Sequence, residues 1–330
     1  MERLVRYFTE GIEGNPIGDT IGMEVETSFI DIKTSKPITV EQSQQLFINF
    51  CHRYENNWCA WKVTQRKGNL ITEISDGGDR FLYELGRQNI ELSTASYPGS
   101  GPTLTAISAA ESLMKNMVMI AAEIGIVPNL KPILETNEEL LVIPDERDAT
   151  WLELDGRPAL ELLARTSAVQ FTISVPLSRA IECLNRLGER TGSFLKGYPQ
   201  EENWRRYIKE SKANYHALRY GGPLFFDSIK DYCKQLIKHD VVVGPNLLSY
   251  YQVQDLDIPL YLRSIWWYFR LRRYGNTLCI EVRPLPRRSH IKFQEQFDFV
   301  MGILSPKTVS LPKIPFVFEE GGAFTEGDKE

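Results

Sequence analysis

The segment Ile21-Gly22-Met23-Glu24-Val25-Glu26 constrains this chain more than any other. Its apolar positions read as a strand. A strand has a period of two, so Glu24 and Glu26 point to the same face. Two carboxylates side by side on a sheet repel each other and lose solvation. A divalent cation is the simplest compensation, because hard cations such as Mg²⁺ take oxygen ligands from carboxylates and phosphates. The other reading is a solvent-facing strand edge with two charged residues, and the pair by itself leaves both open.

The rest of the chain supplies strands for such a sheet. Residues 60–65 and 70–74 flank Lys67-Gly68-Asn69, and Phe81–Leu85 and Asn89–Ser93 follow Asp76-Gly77-Gly78-Asp79. Strands joined by turns this short must be antiparallel. Thr166–Val175 alternates in Val169, Phe171, Ile173 and Val175 and stops at Pro176, and Leu278–Val282 is a late strand. Helices are predicted over 40–54, over about 103–124 with Gly125 as its C-terminal glycine, in pieces over 178–240 with Ser178 as a cap, and over about 291–304. Strands scattered among helices favour one α+β domain with an antiparallel sheet over residues 1–305. The Pro/Gly-rich end, 306–330, reads as a loosely held tail.

Composition removes several functions. At 330 residues, 42% hydrophobic and 25% charged, the chain is an ordinary globular protein with a net charge of −5. That charge gives no electrostatic case for nucleic acid. The basic runs Arg270, Arg272, Arg273 and Arg287, Arg288 read instead as salt-bridged faces or phosphate contacts. Five cysteines with no Cys-x-x-Cys pair form neither a zinc framework nor a disulfide scaffold. There is no signal-like start, and the apolar stretch 117–122 is too short to span a bilayer. The expectation is a cytoplasmic protein with reduced thiols and no membrane partner. Four dispersed histidines argue against a zinc hydrolase, and no Gly-x-Ser-x-Gly, phosphate-binding Gly-Lys loop or dinucleotide glycine motif is present.

Three more glutamates fall on predicted strands between apolar neighbours: Glu84, Glu91 and Glu281. Simple alternation puts Glu84 and Glu91, seven apart, on opposite faces. A turn or bulge at Gly86 would restore a common face. Five strand glutamates, with Arg283 two residues after the last, suit a nucleotide site with several Mg²⁺ ions.

In their order along the chain these segments resemble the glutamate–cysteine ligase family, the plant and bacterial type of ATP-dependent carboxylate–amine ligases. Gly22-Met23-Glu24-Val25-Glu26 is similar to the family's Gly-x-Glu-x-Glu strand, and Glu91-Leu92-Ser93-Thr94, preceded by Glu84, to its Glu-Leu-Ser segment. Arg165-Thr166-Ser167-Ala168-Val169-Gln170 resembles Arg-Thr-x-x-Val-Gln, Asp257-Ile258-Pro259-Leu260-Tyr261 resembles Asp-Val-Pro-Met-Tyr, and Ile280-Glu281-Val282-Arg283 resembles the closing Glu-x-Arg strand. The span between Gln170 and Asp257 is shorter than in the plant-type enzymes, and Gln170 stands where some branches carry His.

The resemblance implies a curved antiparallel sheet, a funnel with helices packed outside, as in glutamine synthetase. It implies two or three Mg²⁺ ions, with Mn²⁺ as a substitute, held by Glu24, Glu26, Glu84, Glu91, Gln170 and Glu281, with ATP bound through them. Arg283 would steady the phosphoryl group or hold a substrate carboxylate, and Arg165 is a second candidate for that task. The expected reaction is amide formation through an acyl phosphate, most specifically between glutamate and cysteine. Expected partners are small molecules, amino acids and ATP, with a homodimer left open. A metal-dependent phosphohydrolase on the same acidic face, or a non-catalytic homologue that keeps the fold, are the competing readings.

Overall fold

The computed structural model describes residues 1–55, 60–84, 89–99, 105–130, 146–198 and 200–305. In chain order the elements are α1 (Glu2–Thr9), β1 (Thr20–Asp31), α2 (Val40–Tyr54), β2 (Lys62–Lys67), β3 (Leu70–Ser75), β4 (Arg80–Tyr83), β5 (Asn89–Ser93), β6 (Tyr97–Pro98), α3 (Ala106–Glu123) and β7 (Ile126–Asn129). Then follow α4 (Glu146–Asp155), α5 (Arg157–Leu163), β8 (Ala168–Ser174), α6 (Ala180–Glu189), α7 (Thr191–Leu195), α8 (Gln200–Glu210) and β9 (Tyr220–Gly221). The chain continues through α9 (Ile229–Leu236), β10 (Val241–Val243), β11 (Asn246–Leu248), α10 (Ile258–Arg263), β12 (Trp266–Trp267), β13 (Phe269–Tyr274), β14 (Thr277–Pro286) and α11 (Phe293–Leu304).

Ten of these strands form one sheet, in the order β13-β14-β8-β1-β5-β4-β3-β2, with the short β6 and β7 both pairing with β1. Every pairing in it is antiparallel. The expected α+β class with a large antiparallel sheet is therefore what the chain adopts. β1 lies at the centre because it pairs on both edges, with β5 and with β8.

Alternation assigns the two faces. Ile21, Met23, Val25 and Phe29 of β1, Ile90 and Leu92 of β5, Val169, Phe171 and Ile173 of β8, and Ile280 and Val282 of β14 are all buried. Helices cover that face. Phe171 meets Phe297 of α11 with ring centroids 5.5 Å apart. α3 starts at Thr105, whose hydroxyl accepts from the Ser108 amide while the Ser108 hydroxyl accepts from the Thr105 amide. Its Ala106, Ala109, Ala110, Met114, Met117, Ile120 and Ala121 are buried, at three- and four-residue spacings. α2 repeats the device with Thr39 and Gln42, and buries Leu46, Phe47 and Phe50.

Several boundaries differ from the sequence reading. Ser178 caps no helix: residues 177–179 form a 3₁₀ turn, and α6 begins after Arg179 without a side-chain cap. The late strand runs to Pro286, well past Val282. The sequence reading has no counterpart for α1, β6, β7, α4, α5, β10, β11, α10, β12 and β13. β13 alternates Phe269, Leu271 against Arg270, Arg272, a strand signal that a basic run conceals. Gly86, Cys59 and the 306–330 tail lie outside the described residues. The other four cysteines are free thiols. Among the described residues no helix is long and apolar enough to cross a membrane.

Candidate active site

The sheet face opposite α3 and α11 is the floor of a cleft of about 1350 Å³. Side chains of α4, α8 and α10, among them Trp151, Trp204 and Tyr261, also line it. Cross-strand register sets the order of groups on the floor. Arg270 of β13 opposes Glu281 of β14, which opposes Thr172 of β8, which opposes Gly22 of β1. One step along β1, Glu24 lies between Gln170 and Ser93. One step further, Glu26 lies directly opposite Glu91 of β5, and Glu91 opposes Leu82 of β4.

Glu84 follows the end of β4, and its amide donates to the Asn89 carbonyl, 3.0 Å, as the chain turns into β5. The antiparallel β4–β5 register brings Glu84 to the side of Glu91. One carboxylate oxygen each from Glu26, Glu84 and Glu91 lie within 4.8 Å of one another. Glu26 is further tied down: Oε2 accepts from the Ala168 amide at 2.9 Å and Oε1 from Gln170 Nε2 at 2.7 Å.

Burial and mutual repulsion govern the carboxylates around this trio. Burial, then Glu84, then Glu24, push Glu26 up to about 8, with Arg283 opposing. Burial, then Glu24, Glu84 and Glu26, hold Glu91 well above the usual carboxylate range. Glu24 is raised by burial and by Glu281, again against Arg283. The donor set is oxygen only, which fits a hard divalent cation such as Mg²⁺ or Mn²⁺. Such an ion would remove the repulsion that raises these groups.

Glu281 sits in different company. Arg270 grips it with Nη2 donating to Oε1 at 2.8 Å and Nε donating to Oε2. Arg283 Nη1 donates to the same Oε1 at 2.8 Å, and Arg272 Nε lies 3.9 Å from Oε2. Burial alone would raise Glu281, but Arg270, Arg283 and Arg272 hold it well below the usual range. Arg270 is itself anchored by the Leu262 and Ile265 carbonyls at 2.9 and 2.7 Å. The cleft is thus bipolar, with acids over β1, β5 and β4 and guanidinium groups over β13 and β14.

Gln170 joins the two poles. Its Nε2 donates to Glu26, and its Oε1 accepts from Arg283 Nη1 at 2.6 Å. The carbonyl oxygen expected to face a cation therefore faces Arg283. The bulge between Val282 and Leu285 of β14 falls at Arg283, and bulges re-aim side chains. Of the other expected site residues, Glu24, Glu26, Glu84, Glu91 and Glu281 all line the cleft. Arg165 is half-buried in the turn between α5 and β8 and is not among the described lining residues. The sequence reading took Arg270 and Arg272 as salt-bridged or phosphate-contacting residues but did not name Glu281 as their partner, because it lies eleven and nine residues away on another strand.

No family model matches the chain, and no curated protein matches it in sequence. Two similar solved structures are a glutamate–cysteine ligase from Francisella tularensis in complex with AMP and a bifunctional glutathione synthetase from Pasteurella multocida. The first has 12% identity and a TM-score of 0.48, covering 89% of this chain and 68% of that one. The second has 10% identity and a TM-score of 0.40, covering 91% of this chain and 40% of that one. Likeness at this level transfers no chemistry, and the functional reading stands on the cleft residues.

Proposed function

We propose that this chain is an ATP-dependent carbon–nitrogen ligase that forms an amide through an acyl phosphate, with glutamate and cysteine as its substrates. The observation that carries the reading is the bipolar cleft: a trio of carboxylates with oxygens within 4.8 Å faces arginines on the same sheet. Glu26, Glu84 and Glu91 would hold a divalent cation, with Glu24 beside them. Bound there, the ion would neutralise charge on the ATP phosphates.

The chain's own groups supply orientation and charge. Gln170 fixes the Glu26 carboxylate relative to Arg283 through two hydrogen bonds. Arg283 spends Nη1 on Glu281 and Gln170, and its guanidinium keeps further donors for a phosphoryl or carboxylate oxygen. In the first step a substrate carboxylate oxygen attacks the γ-phosphorus, and the bond to ADP breaks with its electron pair on ADP. In the second, an amine attacks the acyl carbon, loses a proton, and inorganic phosphate leaves. The order of the sequence motifs and the positions of Glu24, Glu26, Glu91, Gln170 and Arg283 in one cleft support the ligase reading, and dependence of ADP release on an amine separates it from a phosphohydrolase.

The test is ADP release with Mg²⁺, ATP and saturating L-glutamate, with cysteine compared against alanine, serine and 2-aminobutyrate, and with product mass recorded. The expected result is amine-dependent ADP and phosphate, abolished by EDTA, with cysteine the best acceptor. AMP and pyrophosphate would place the chain among adenylating ligases. ADP release that no amine accelerates would favour the phosphohydrolase.

A further inference from the structure

The three guanidinium groups of the basic pole are not equally engaged. Arg270 donates four hydrogen bonds, two to Glu281 and two to backbone carbonyls. Arg283 is held by Glu281 and Gln170. Arg272 makes no such bond to Glu281: its Nε is 3.9 Å from the carboxylate, beyond hydrogen-bond reach. Its side chain, 12% exposed, meets Tyr274, but its buried Nη1 has no hydrogen-bond partner among the described residues. The Tyr274 ring, 5.9 Å from Cζ, is at the limit of a cation–π contact.

A buried guanidinium nitrogen without an acceptor is costly, and such groups in folded proteins call for an explanation. The neighbourhood supplies one. Arg272 opposes Cys279 across the β13–β14 pair, and the same floor carries Thr172, Thr277 and Gly22, none of which brings a negative charge. One carboxylate, Glu281, serves three guanidinium groups. Glu24 of β1 is the other carboxylate whose charge reaches Arg272, so what this end of the cleft offers is an idle donor, Nη1, with small side chains beneath it.

We propose that Arg272 is the residue that takes an anionic oxygen of the substrate, either the free carboxylate of the donor amino acid or a phosphate oxygen of the nucleotide. Both are planar or tetrahedral oxyanions that a guanidinium fork fits, and Arg272 Nη1 adds an unshared donor to those that Arg283 keeps beyond the Nη1 it gives to Glu281 and Gln170. The identity of the two ligands rests on the ligase reading; the role of Arg272 in binding does not require turnover.

The experiment is calorimetric titration of the full chain in excess Mg²⁺ with ATP, with L-glutamate and with inorganic phosphate, for the wild type and for R272M. R272M is expected to weaken either ATP or glutamate by about 10- to 100-fold, the scale of one lost charged hydrogen bond, and to leave the other within threefold. If ATP and inorganic phosphate weaken together, the oxygen belongs to a phosphate; if glutamate alone weakens, it belongs to the carboxylate. R272K, which keeps charge and loses the fork, should fall between the two. If R272M does not fold, R272Q carries the same expectation. Unchanged affinities in a folded variant overturn the proposal. So does an equal loss for every ligand, which marks a collapsed cleft, and so does a wild type that binds none of the three. Failure to form any amide while the R272M effect on binding persists would refute the ligase reading and leave Arg272 in its role.

Discussion

The acidic trio should make the metal-free protein less stable as pH rises through neutrality, and Glu26 fixes the size of the effect. Its carboxyl moves from an ordinary 4.5 to about 8 in the folded chain, by burial and by Glu84 and Glu24. Between those values the folded state keeps a proton that the unfolded state has lost, so stability falls with increasing pH. At about 1.4 kcal/mol per pH unit, the whole cost is on the order of 5 kcal/mol above pH 8. Two histidines, the buried His239 and the half-buried His290, tilt the lower part of the range the other way. Burial holds His239 down to about 3 and lowers His290, so both gain stability as pH rises toward 6.5. The clean window is therefore pH 6.5 to 8, where Glu26 alone should remove about 2 kcal/mol. Glu91, raised by the same causes, adds to the slope. The assay is urea unfolding in EDTA across that window, repeated with Mg²⁺ and with E26Q. Mg²⁺ at about a hundred times its Kd should restore roughly 2.7 kcal/mol, and more at pH 8, because ligating carboxylates must be ionised. E26Q should flatten the metal-free slope by about 2 kcal/mol. A wild-type stability that is flat or rising between pH 6.5 and 8, or an E26Q slope equal to the wild type's, would refute the reasoning.

Other outcomes follow from the same contacts. R270M strips a buried carboxylate of its bidentate partner and takes a donor from the Leu262 and Ile265 carbonyls, so it should cost about 3–5 kcal/mol in urea unfolding. A loss under 1 kcal/mol would mean that the pair is not held as described. Glu281 is depressed below its ordinary 4.5, so its contribution is fully present above that pH and is lost as pH falls further. E281Q should therefore blunt the acid limb of the stability profile and leave the limb above pH 6.5 alone. E84Q and E91Q should each raise the Mg²⁺ concentration needed for half-maximal ADP release by about tenfold or more with the circular dichroism unchanged, since each removes one oxygen anion from the trio. Unaltered Mg²⁺ dependence in both would remove these residues from the metal site.

The readable part of the site was the part written with local periodicity. Glu24 and Glu26 share a face because a strand has a period of two, and Val25 between them is fully buried. The glycine turns forced antiparallel pairing before any contact was known, whereas the helix expected from about 103 starts at Ala106, after the Thr105 cap. Glu281 and Arg283 were legible as a pair on one strand. Their assignment to a shared task was less so, because Glu281 answers to Arg270 and Arg272 across the β13–β14 pair, and no spacing in the sequence marks that pairing. Ser178 failed as a cap for a related reason: a 3₁₀ turn precedes α6 and carries the chain past the position where its hydroxyl could serve.

What the sequence determined by itself is thus the class of sheet and the chemical type of the groups on its wet face, because both follow from alternation and from the turn residues between strands. Which carboxylates meet was decided only by tertiary structure. Glu26 and Glu91 are 65 positions apart and become neighbours through the β1–β5 register, and Glu84 joins them because the chain reverses between β4 and β5. The division into an acidic and a basic pole has the same origin. Burial next to Arg270, Arg283 and Arg272 drives the Glu281 proton off, while burial beside like charge keeps protons on Glu26 and Glu91. Identical side chains on similar strands acquire opposite properties, since their fields are set by neighbours that the fold, and not the adjacent sequence, supplies.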